Sequence, residues 1–356
     1  MEERVRQSGA AGSKTFAGSN SRKYNYFDPQ GRRATVYEDV TVDVQPDVSR
    51  YLIQGWLMTH ADGTPTYHEG TTALKSSDWH VYRAPDQEWE RTHFQRQSRI
   101  ETSIKTIVDS ARGSNTPQGF TPQWRTFLQY HVGAMKHAEF GVGVALTTAQ
   151  RDGITQMINN TMLTNSSYKL RVAQDVTLYL GDIGMDIEID GDAGKKSWME
   201  NAAWQPTRKV VESILATRDH LEVYFTINII YEALVGELIR AGLITRAAPA
   251  ANDFITPAVV APALEDYQRN RANAVALFLM LVNDAEHSEA NKATIGEWLG
   301  KHVPMCVDAA KSLKPLWAET GTLSDEAFDV AYKQATDRLH NMLVELEISL
   351  PDGVKV

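Results

Sequence analysis

Residues Ala263–His302 read ALEDYQRNRANAVALFLMLVNDAEHSEANKATIGEWLGKH. Apolar residues return at helical spacing (Leu277, Leu281, Ile295, Trp298), and Asp284, Ser288 and Asn291 fall on the same stripe. The spacing predicts one long helix with polar groups facing a buried seam. Asp284 stands three residues before His287, so a continuous helix would put both on one face. Helix bundles hold paired iron or manganese ions with that geometry.

Outward from this stretch the pattern is helical over most of the chain. Helices are expected over 86–112, 123–151, 153–182 and from Pro206 to about Ala241, with a polar loop from Asp190 to Lys196 and an Ala/Pro linker from Ala247 to Ala263. Shorter helices are expected over 304–318 and 324–348, punctuated by Pro304 and Pro315. No βαβ alternation and no internal repeat is present, so the predicted fold class is all-α.

A two-metal site in such a bundle takes a carboxylate from each of two helices and a carboxylate-x-x-His pair from each of two others. Glu139 lies on the apolar stripe Leu128, Val132, Met135, Val142, Leu146, and Glu232 on the stripe Leu221, Phe225, Asn228, Val235, Ile239. A glutamate on an apolar stripe faces inward. Asp284 and His287 supply one pair. The helix that should carry the other reads Tyr168-Lys169-Leu170-Arg171-Val172, with Lys169 where a glutamate is needed and Val172 where a histidine is needed. A protonated amine and a valine cannot ligate a metal. The positions therefore read as a vestigial site, in which Lys169 replaces the lost positive charge and compensates Glu139, Glu232 and Asp284 as a buried ion-pair cluster. Glu90 and His93 form the chain's Glu-x-x-His pair, on a charged helix, and read as surface or interface.

The first 85 residues differ. Residues 1–22 are polar and Gly/Ser-rich and read as a disordered tail. Residues 23–85 read as an extended, irregular arm with turns at Asp28–Gly31 and Asp62–Pro65, a brief alternating segment at Thr35–Val44, and many aromatics. Rings on such an arm must be buried, against the chain's own bundle or against a partner. Tyr37, Trp56, Trp79, Tyr82 and Arg83 are the candidate partner contacts. The remainder, 86–356, reads as one helical domain.

With 42% hydrophobic and 23% charged residues the chain reads as globular. A net charge of −9 argues against nucleic-acid binding. No run is apolar enough to span a membrane. The lone Cys306 excludes an internal disulfide and any multi-thiolate metal site. A cytoplasmic location is expected.

Several stretches carry a resemblance: Arg33-Ala34-Thr35-Val36-Tyr37-Glu38, Asp78-Trp79, Tyr82-Arg83-Ala84-Pro85, Trp204-Gln205-Pro206-Thr207-Arg208, Tyr231-Glu232-Ala233-Leu234-Val235, and Asp284-Ala285-Glu286-His287 through Trp298. Together and in order they resemble the small (beta) hydroxylase subunits of soluble bacterial multicomponent di-iron monooxygenases, the group acting on propane, methane, phenol and toluene. Within that group the chain resembles the actinobacterial propane type. Ala84 departs from the acidic residue expected before the proline, which bears on that local turn alone.

The resemblance implies a ferritin-like bundle with no cofactor on this chain and no catalytic residue. A large (alpha) subunit would hold the di-iron centre and oxidise the hydrocarbon with O2. Electrons would come from an NADH-dependent reductase carrying FAD and an iron–sulfur cluster, and a small coupling protein would assist. An α2β2 hydroxylase is implied. Two other readings stand beside it: a self-sufficient di-iron oxygenase, and a helical adaptor unrelated to oxygen chemistry.

Overall fold

The computed structural model describes residues 24, 26–29, 32–42, 44, 63 and 69–356. The expected tail (1–22), Trp56 and most of the span 45–68 lie outside the described residues. Among the described residues every regular element is helical. The helices are α1 (Glu90–Gly113), α2 (122–149), α3 (Gln156–Ile183), α4 (Ala193–Glu200), α5 (Gln205–Ala216), α6 (220–247), α7 (Ile255–Val260), α8 (Pro262–Val282), α9 (Ser288–Ser312), α10 (Pro315–Glu319) and α11 (Asp325–Glu345).

Local sequence sets the ends. Thr155 caps α3 by accepting from Ile158 N–H, and Asp219 caps α6 by accepting from Leu221 and Glu222 N–H. That Asp219 cap breaks the helix expected from Pro206 to Ala241 into two, because extended backbone at Thr217 and Asp219 separates α5 from α6. The Ala/Pro linker is largely helical: Ala248–Ala251 forms a 3-10 turn and Ile255–Val260 forms α7. Pro304 does not end a helix but lies inside α9.

The helix expected across Ala263–His302 is also two helices. Asp284 competes for backbone hydrogen bonds, as short polar side chains do. Asp284 Oδ1 accepts from Glu286 N at 3.0 Å and His287 N at 3.1 Å, which turns the chain between α8 and α9. Asp284 and His287 consequently do not share a helix face.

α2, α3, α6 and α8 surround a common interior. α2 and α3 are antiparallel and close: Ser166 Oγ donates to the Gly143 carbonyl at 2.8 Å, and a Cβ at Gly143 would lie 2.9 Å from Leu170 Cδ2. α6 departs from α-geometry over Thr226–Gly236 and Leu238–Ile244, where the backbone bonds in the wider π pattern.

The arm folds back on this bundle. Residues 36–42 are helical, not strand-like. Tyr37, Trp79 and Tyr82 are 2%, 6% and 2% exposed, within the chain's own core. The Tyr37 hydroxyl accepts from Ala84 N at 3.1 Å, and the Tyr82 hydroxyl donates to the Asn273 carbonyl at 3.2 Å. These three rings are therefore not available as partner contacts. Arg83 stays partly exposed, over the Phe27 ring and 3.6 Å from Glu38. Ala84, where the resemblance led to the expectation of an acid, is buried at 2% exposed, a position that does not suit a solvated carboxylate.

Candidate functional site

Glu139 of α2, Lys169 of α3 and Glu232 of α6 meet in the bundle interior. Lys169 Nζ is 2.6 Å from Glu232 Oε1 and 3.0 Å from Glu139 Oε2. Two further residues, unforeseen in the sequence, complete the cluster. Arg240 pairs with Glu139 and Glu232 and lies 2.7 Å from Glu237 Oε1. The wide turns of α6 account for this: i→i+5 bonding brings Glu232 and Glu237, five residues apart, onto one side. Gly236 gives the Glu232 carboxylate room, since a Cβ there would meet Oε1 at 2.7 Å.

The electrostatics close around the cations. Burial alone raises the Glu232 carboxyl, but the charges of Arg240 and Lys169 outweigh it and hold the group below its ordinary value. For Arg240, burial works against the charge, and Glu139, Glu232 and Glu237 overcome it, pushing the guanidinium well above its usual range. Glu139, Glu232 and Glu237 are each engaged by a cation.

Asp284 is corrected out of this cluster. It sits half-buried in the α8–α9 turn, accepts from Ser77 N at 2.6 Å and from Ser77 Oγ at 2.8 Å, and so clasps the arm. Burial would raise its carboxyl; the hydrogen bonds from Ser77, Glu286 and His287 hold it well below the ordinary range. His287 lies in the same turn. Val172 is buried on α3 and contributes only packing. The fourth wall of the interior is α8, whose inward polar residues are Asp266, Asn270 and Asn273. Asp266 is already bound by Arg96 and Arg171. The residues present do not fit a di-iron centre, and among the described residues no cluster of His, Cys, Asp and Glu suits a metal ion.

Of the pair expected at the surface or an interface, Glu90 is exposed and His93 is not. It is buried, with Nδ1 3.4 Å from Glu88 Oε2 and Nε2 2.8 Å from Ser167 Oγ, beside a cavity of about 660 Å³ that Trp89, Phe94 and Leu163 also line. The order resembles a nucleophile relay. Ser167 lies inside α3, however, where neighbouring N–H groups are committed to the helix and cannot stabilise an oxyanion.

The sequence over residues 56–285 matches the Methane/Phenol/Alkene Hydroxylase family model. The chain is 40% identical over 346 residues to the propane 2-monooxygenase hydroxylase small subunit of Mycolicibacterium goodii, covering 96% of this chain and 93% of that one. The chain belongs to the methane/phenol/alkene hydroxylase family. Within it the chain is a small subunit, a component of the hydroxylase of a multicomponent monooxygenase. It is also 23% identical to the methane monooxygenase component A beta chain of Methylococcus capsulatus, over 89% of this chain and 85% of that one. Phenol hydroxylase from Pseudomonas sp. OX1 shares its fold at TM-score 0.74 and 18% identity, across 94% of this chain and 100% of the other. The fold is thus a ferritin-like hydroxylase bundle. No helix among the described residues is long and apolar enough to cross a membrane.

Proposed function

We propose that this chain is the non-catalytic beta subunit of a cytoplasmic hydroxylase that oxidises a small alkane of the propane class with O2. The iron would reside on a large alpha subunit in an α2β2 assembly, served by an NADH-dependent reductase with FAD and an iron–sulfur cluster and by a coupling protein. The single observation that carries this is the pairing of Lys169 and Arg240 with Glu139, Glu232 and Glu237, which fills the bundle interior with internal ion pairs. Residues 86–356 would form one helical domain, and the arm of residues 23–85 would be an extension upon it. As a small subunit the chain would supply a rigid helical body, and a rigid neighbour keeps a catalytic bundle preorganised.

Purification of the chain alone and with the products of neighbouring genes tests this. Iron should be absent from the isolated chain and appear in a larger complex containing a second hydroxylase subunit, which alone turns over alkane when reductase and coupling protein are added. Stoichiometric iron on the isolated chain would instead make this protein the catalyst.

A further inference from the structure

Three helices present polar residues to the bundle interior one turn apart. They are Thr161, Asn165 and Lys169 on α3; Tyr224, Asn228 and Glu232 on α6; and Asn273, Asn270 and Asp266 on α8, each at most 6% exposed. Their register follows from cross-helix bonds. The Tyr82 hydroxyl reaches both Thr161 Oγ1 at 3.3 Å and the Asn273 carbonyl at 3.2 Å, fixing one level. Lys169 to Glu232 at 2.6 Å fixes another, and Arg171 to Asp266 runs α8 antiparallel to α3 just beyond it. Asn165, Asn228 and Asn270 therefore occupy the level between, next to the ion cluster.

Their amides are only partly paired: Asn228 Nδ2 donates to the Tyr224 carbonyl at 3.0 Å. Both Asn165 Nδ2 and Oδ1, together with Asn228 Oδ1, Asn270 Oδ1 and the Tyr168 and Tyr224 hydroxyls, are buried with no hydrogen-bond partner within the protein. An orphaned buried polar atom is costly, and a fold of ordinary marginal stability does not carry several in one layer. A guest must both donate to amide oxygens and accept from Asn165 Nδ2. A bare cation does the first and not the second; water does both.

We propose that Asn165, Asn228 and Asn270 enclose a buried hydration site, a short file of ordered water between the Lys169–Glu232 ion pair and the half-buried Asp86 end of the bundle. At that end Asn273 Nδ2 donates to Asp86 Oδ2 at 3.0 Å, continuing the polar file toward solvent. Water there solvates the edge of the charge cluster.

A crystal structure of the full chain, alone or in its complex, at a resolution that shows water decides it. Ordered water within hydrogen-bond distance of all three asparagines is expected. A dry layer in which the amides bond one another, or a metal ion coordinated by their oxygens, overturns the proposal. Substitution gives a second reading. Asn165→Leu alone should lower the folding equilibrium constant about tenfold or more by stranding its neighbours, whereas the triple Asn165→Leu/Asn228→Leu/Asn270→Leu chain should regain most of the loss and be dry. A single variant as stable as the parent counts against the site.

Discussion

Lys169 donates to Glu232 across 2.6 Å in the middle of the bundle, with both side chains almost completely enclosed. Removing one partner of a buried pair costs more than the pair contributes, because the other charge is left in a poor solvent. Lys169→Met should therefore destabilise the chain by about 3–5 kcal/mol. Arg240 touches a third carboxylate, Glu237, so Arg240→Met should cost more. Urea unfolding of both variants checks the order; a Lys169→Met chain as stable as the parent would refute the compensating role of the cation.

Gly236 offers a test by sign. Replacing glycine with alanine inside a helix ordinarily stabilises by about 0.5–1 kcal/mol. Here a Cβ would lie 2.7 Å from Glu232 Oε1 and press on the ion cluster. Gly236→Ala should therefore destabilise, by about 1–3 kcal/mol as overpacking does. Thermal melting reads the direction.

Asp284 holds the arm and caps the α8–α9 turn at once. Asp284→Ala should cost about 1 kcal/mol, the usual loss for such a cap. Hydrogen exchange at the Ser77 amide should accelerate in the variant, while exchange in α3 stays as in the parent. Unchanged protection at Ser77 would mean that other contacts fix this part of the arm.

Two buried groups give opposing pH responses. Burial lowers the His220 imidazole from 6.5 to about 4, with its Nδ1 near the Thr71 carbonyl, so it is neutral in the folded chain. Between those values the unfolded chain binds more protons. His220 thus contributes stability that is present above about pH 6.5 and lost as pH falls toward 4, on the order of 3 kcal/mol. Burial raises Asp175 from 3.8 to about 6 against the pull of Arg171, so over that window the folded chain binds more protons and its stability falls as pH rises. Between about pH 4 and 6 the two offset one another. Asp175→Asn should expose the His220 loss as a steeper acid limb, and His220→Gln should reverse the slope; stability curves from pH 4 to 7 measure both.

The packed arm also sets where it can be cut. Leu74, Trp79 and Tyr82 belong to the core, so deleting residues 1–85 would damage the bundle itself and not only an interface. Removing only residues 1–31 leaves those rings in place and isolates any role of the outer segment in assembly.

Much was legible without coordinates. The 3.6-residue recurrence of apolar side chains determined an all-α chain, and inward-facing Glu139 and Glu232 stood out because charged residues on an apolar stripe require burial. Lys169 and Val172 were read from donor chemistry as positions that cannot ligate a metal. Other features needed the tertiary structure. Arg240 was hidden because an α-period misassigns the faces of a helix that bonds in the π pattern. Asp284 was misplaced because a periodic stripe continues across a turn that the aspartate itself makes. Asn270 and its companions carried no charge to mark them. Whether the arm's rings met a partner or their own bundle was also open, since ring burial has no sequence direction. Periodicity reports which way a side chain points from a regular helix; which groups then meet depends on helix register and local winding, set by the whole packed interior.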